Sequence, residues 1–168
     1  MGRISLSRMA RHLFHPRWLV ARAFPRRSLD RITAAIAASE TGHGGEIRFA
    51  VEGALAVPAL LRGMTARQRA VQVFSDLRVW DTEANSGVLV YLLLADRDVE
   101  ILADRGFNGR VEAAEWEAIC REMESHFRQG DFETGVLTGI ARIDGLLRRH
   151  FPVAGGNANE LPDRPDLI

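Results

Sequence analysis

A chain of 168 residues can bury a sizeable core but is too short for two ordinary domains, and its 46% hydrophobic and 26% charged residues exclude a wholly disordered or fibrous protein. The zero net charge is uneven: seven of the 22 arginines stand in the first 27 residues without any acid (+7), while the remainder sets fifteen arginines against 22 acids (−7). The single cysteine, Cys120, excludes an intramolecular disulfide and a Cys₄ zinc site, and fits a reducing compartment without demanding one.

The apolar stretch 18–24 is short, is interrupted by Arg22 and has no small-residue cleavage site after it, so it makes a poor signal peptide. No run of eighteen apolar residues predicts a membrane-spanning helix. The expected location is the cytoplasm, with the basic arm able to work at the membrane face. The expected organisation is a basic amphipathic arm over 1–27, one α/β domain over 28–151 and a disordered Pro- and Gly-bearing tail over 152–168.

In chain order, Leu29, Ile32, Ile36 and Ala37 follow helical spacing until the turn 41–45. Ile47, Phe49 and Val51 alternate with Glu46, Arg48, Ala50 and Glu52, the period of a strand with one wetter face. Residues 53–63 form a connection with room for one short turn of helix. Thr65 and Gln68 have capping-box spacing, so a helix starts there, with Ala70, Val71, Phe74 and Leu77 on its apolar face, and it frays near Arg78. After a loop over 80–87, residues 88–95 are continuously apolar and predict a central strand buried on both faces. A turn at 96–98 returns the chain as a second strand over 99–104, a hairpin. Trp116, Ile119, Cys120, Met123 and Phe127 form one helical stripe; Gly130 ends that helix, and Asp131 caps another carrying Phe132, Val136, Ile140, Ile143 and Leu147. Gly135 and Gly139, four apart on this last helix, predict close approach to the sheet or to a neighbouring helix.

An antiparallel hairpin sets the start of one strand beside the end of the other. Asp81, Glu83, Asn85 and Asp104 can therefore converge, and carboxylate and amide oxygens suit a hard cation such as Ca²⁺ or Mg²⁺. The spacing is not that of an EF-hand, and acids that are simply solvated are the competing reading. The five histidines make no zinc pattern, no phosphate-binding or nucleophile-elbow motif is present, and Cys120 reads as packing. In the arm, Leu13, Phe14, Trp18, Leu19 and Phe24 interleave with arginines. That composition suits an anionic membrane surface or a protein partner; docking on the acidic body of the same chain or of a twin is equally open, and nucleic acid is the less favoured partner.

The segments Asn85-Ser86-Gly87-Val88-Leu89-Val90, Asp104-Arg105-Gly106, Phe127-Arg128-Gln129-Gly130-Asp131-Phe132 and Gly135 through Gly139 together resemble the TPM domain over about residues 28–150. The resemblance implies a three-layer α/β/α sandwich with a small mixed sheet and helices on both faces, which agrees with the reading of the elements. It also implies divalent-metal binding and a phosphatase activity, both attributed to a family of plant thylakoid-lumen, animal receptor-associated and bacterial envelope proteins. By position it points to Asp81, Asn85 and Asp104, with Glu46 and Glu83 as weaker additions. Asn85 stands where the family frequently has Asp, which removes one ligand charge. The expected function is a divalent-cation-binding accessory or interaction module with little or no catalysis. The alternatives are a metal-assisted phosphatase in which Arg105 neutralises developing charge, and a metal-free structural or oligomerisation module.

Overall fold

The structure, a computed structural model, describes residues 6–16, 18–153 and 159–168. Two short helices, α1 (Leu6–Leu13) and α2 (Trp18–Ala23), lead into α3 (Arg26–Glu40), β1 (Glu46–Glu52), α4 (Val57–Leu61) and α5 (Ala66–Asp76). The hairpin β2 (Gly87–Leu93) and β3 (Asp98–Ala103) follows, then α6 (Ala113–Arg128), α7 (Phe132–His150) and β4 (Asp166–Leu167). The sheet order is β3-β2-β1-β4; β2 and β3 are antiparallel, whereas β1 runs parallel to β2 and to β4.

The sheet separates two apolar cores, which makes the architecture the expected three-layer sandwich. Phe49, Val90 and Leu92 pack with Ile36 of α3, Met123 of α6 and Ile140 of α7. On the opposite face, Leu89, Tyr91 and Leu93 pack with Leu60 of α4 and Val73 of α5. The apolar run at 88–95 is thus buried from both sides, as parallel-paired central strands require. Thr65 and Gln68 make both bonds of the capping box (3.1 and 3.0 Å), and the Asp131 side chain accepts from Thr134 N. The glycine pair serves a helix contact: a Cβ on Gly135 would lie 2.5 Å from the Phe127 ring, and one on Gly139 2.4 Å from Met123 Sδ.

Three features depart from the sequence expectations. First, β1 has no wet face: Glu46, Arg48 and Glu52 are all buried. They remain polar because each finds partners, Glu52 with Arg69 Nε (2.7 Å) and Tyr91 Oη (2.8 Å), and Arg48 with Pro162 O and Asp166. Second, residues 159–168 of the expected disordered tail run along β1. Leu161 is buried, and Ala50 and Val51 pair with Asp166 and Leu167. This covers an edge that β1 would otherwise expose. Residues 154–158 of that tail lie outside the described residues.

Third, the arm is not separate from the body. Helix α3 starts at Arg26 instead of Leu29, and Phe24 is a core residue against Phe49 and Phe132. Helix α1 lays its polar side inward: Arg8 Nε and Arg11 Nη2 reach Asp96 at 2.8 and 3.0 Å. The buried His12 ring accepts from Leu55 N (3.0 Å) and sits 3.1 Å from the same carboxylate. Burial favours the neutral acid at Asp96, but hydrogen bonds from Arg8, Arg11 and His12 prevail and hold its carboxyl below the usual range. Among the described residues, no helix is long and apolar enough to cross a membrane.

Candidate functional site at the end of the sheet

One end of the sheet gathers the start of β1, the start of β2 and the end of β3, because Glu46 is in register with Gly87 and Val88 with Ala103. Backbone bonds continue that register into the loops, Glu46 N to Ser86 O and Asp104 N to Gly87 O (3.3 and 2.9 Å). Asn85 adopts the left-handed conformation (φ 52°), which Asn tolerates better than most residues. Its carbonyl accepts from Gly106 N at 2.9 Å, and a Cβ on Gly106 would lie 2.4 Å from that same oxygen. Only glycine lets the two loops approach this closely.

Between the loops, Arg105 Nε donates to Asn85 Oδ1 (2.6 Å), while Arg105 N donates to Asp104 Oδ1 (2.7 Å). Asp104 Oδ2 is buried and has no hydrogen-bond partner among the described residues. Asn85 and Asp104, which the hairpin argument placed together, are therefore joined through Arg105.

The other candidates lie apart from this junction. Asp81 and Glu83 are exposed in the preceding loop, where their backbone N–H groups bond Arg78 O and Glu160 Oε2. Glu46 is fully buried and accepts from Leu161 N (3.2 Å). Its neighbour is Glu40, the last residue of α3, which accepts from Ile47 N at 2.9 Å. Burial pushes the Glu40 carboxyl up to about 8, with Glu46 and Asp163 adding to the rise against the Ile47 hydrogen bond. Burial also raises Glu46. Sequence reasoning missed Glu40, although an acid in the last turn of a helix opposes the macrodipole and is a visible signal of a perturbed carboxyl.

For a divalent cation the donor set is sparse. Among the described residues, no three His, Cys, Asp or Glu side chains are grouped to hold a metal ion. The Asn85 oxygen is already engaged by a guanidinium, and a hard cation takes six or more oxygens. As placed, Asp81, Glu83, Asn85, Asp104 and Glu46 do not assemble such a shell.

The fold agrees with the comparisons. The family model of the TPM domain matches residues 21–146, and the chain belongs to the TPM domain family. Among solved structures it is similar to the BA42 protein of the psychrophilic bacterium Bizionia argentinensis, at 27% identity and a TM-score of 0.74, over 84% of this chain and 93% of that one. It also resembles the N-terminal domain of a P. gingivalis protein, at 18% identity and a TM-score of 0.58, over 74% and 78% of the two chains. That second likeness concerns the fold alone. No curated protein matches the chain.

Proposed function

We propose that this TPM domain is an accessory module that attaches to an anionic membrane surface through its N-terminal helices. The carrying observation is the orientation of α1. With Arg8, Arg11 and His12 turned onto the body, the opposite stripe of Leu6, Leu13 and Phe14 faces outward, and Leu6 and Phe14 are each 83% exposed. Trp18 of α2 is exposed as well. Arg22, one helical turn after Trp18, and Arg26 at the start of α3 make no ion pair with any described residue, while Arg27 adds to the positive field around Glu133. Each basic residue near an anionic surface contributes about 1 kcal/mol. No covalent chemistry is needed for this role. The test is co-sedimentation with phosphatidylserine-containing vesicles against pure phosphatidylcholine ones. Binding to the anionic vesicles that is lost in Leu13→Glu/Phe14→Glu is expected; equal recovery of the variant would sink the reading.

A second reading retains a divalent cation at the sheet end, and the unpartnered Asp104 Oδ2 favours it. It requires Arg105 to release Asn85 and the loop bearing Asp81 and Glu83 to fold inward. Its support would be a saturable rise in melting temperature with Ca²⁺, Mg²⁺ or Mn²⁺ that disappears in Asp104→Asn. Phosphomonoester hydrolysis depends on this second reading and is worth assaying only after such a rise.

A further inference from the structure

The strand β3 forms one edge of the sheet, and its outer side opens into a groove of about 650 Å³ between α5 and α6. Register decides which backbone groups face that groove. Because Asp104 N donates to Gly87 O, the β3 residues that exchange hydrogen bonds with β2 are the even-numbered ones. The N–H and C=O groups of Val99, Ile101 and Ala103 therefore point outward. Two side chains already stand where a neighbouring strand would: Arg67 Nη1 donates to Ile101 O (2.8 Å), and the Cys120 thiol meets the Ile101 backbone.

The groove is also acidic. Asp98, Glu100, Asp104, Glu117 and Glu124 line it against only two guanidiniums. Those two, Arg67 and Arg121, are already paired with Glu100 and Glu117 at 3.3 and 3.5 Å. Asp98 has no ion-pair partner among the described residues; burial first, and then Glu100, Glu124 and Asp96, push its carboxyl up to about 6. Side chains alternate along a strand, so Asp98, Glu100 and Asp104 project to the face of β3 that Leu102 shares with the α5 core.

We infer that the outer edge of β3 binds an extended basic segment of another protein by strand addition, with arginines or lysines at alternate positions opposite Asp98, Glu100 and Asp104. Main-chain bonds to Val99, Ile101 and Ala103 replace the contacts now made to Ile101 by Arg67, 56% exposed at its side chain, and by the Cys120 thiol, and the incoming cation replaces Arg67 at Glu100. Alternate cations meet the carboxylates as cross-strand pairs. A second copy of this chain is the poorer occupant, because pairing β3 with β3 sets acid against acid.

The test is fluorescence anisotropy of the full chain with a labelled peptide of about nine residues, long enough to span β3, alternating Arg and Val. Saturable binding is expected, with affinity about tenfold weaker for Asp98→Asn/Glu100→Gln. The same peptide carrying N-methyl groups on alternate amides keeps its charge but cannot pair as a strand, and it is expected not to bind. This comparison uses the unmodified protein, so it stands whether or not the double variant folds. Equal binding of the N-methylated peptide would reduce the groove to an electrostatic surface and overturn the inference. So would equal binding of a Glu/Val peptide, or no binding of the Arg/Val peptide, whether the chain is a monomer or a dimer by light scattering.

Discussion

Replacing Glu40 by Gln tests the electrostatic account of the sheet end directly. A carboxyl held at about 8 in the folded chain, against 4.5 as its ordinary value, binds a proton that the unfolded chain has released throughout the interval between. Stability from this group is therefore lost as pH rises from about 4.5 to about 8. Full expression of the shift would correspond to roughly 5 kcal/mol. Solvent screening of a carboxyl that is not wholly enclosed reduces this to about 2–3 kcal/mol. Gln keeps an acceptor for Ile47 N and brings an amide that can donate toward Asp163, while removing the ionisation. Urea unfolding at about pH 7 and about pH 8.5 should show the parent chain losing stability across that window. The variant should lose much less and be the more stable protein at the upper pH. The window avoids the titration of Asp98, raised to about 6, and of His15 and His43, whose pKa values are lowered from 6.5. Equal pH slopes in both proteins would refute the assignment of a protonated carboxyl at Glu40.

Other outcomes follow from the same geometry. Gly106→Ala drives a methyl group to 2.4 Å from Asn85 O and should cost about 2 kcal/mol or more, read as a lower urea midpoint. Asp96→Asn weakens the anchor of α1 and should cost about 1–2 kcal/mol, with faster trypsin cleavage at Arg8 and Arg11 than in the parent. An unchanged digestion pattern would show that the arm is held by something else. Leu161→Ala removes the buried apolar contact of the C-terminal segment and should lower stability by about 2 kcal/mol; no change in melting temperature would refute its anchoring role.

The elements legible in the sequence are those specified by neighbouring residues. The capping box at Thr65 and Gln68, the stripes of α6 and α7, and the double-faced apolar strand at 88–95 depend on local geometry with periods of 3.6 and 2. The TPM-like junction was legible in part for the same reason: Asn85, Asp104 and Gly106 flank a hairpin whose register is local. What the periodicities could not encode was the docking of distant segments. Arg48 reads as the wet side of an alternating strand until Pro162 and Asp166, more than a hundred positions away, cover it. Asp96 decides which face of α1 turns inward from 88 residues beyond Arg8. Glu46 similarly leaves the expected oxygen cluster because Leu161 and the end of α3 enclose it. Local spacing determines which residues share a face; only tertiary packing determines what that face meets, and hence whether a charge there is solvated, paired or held neutral.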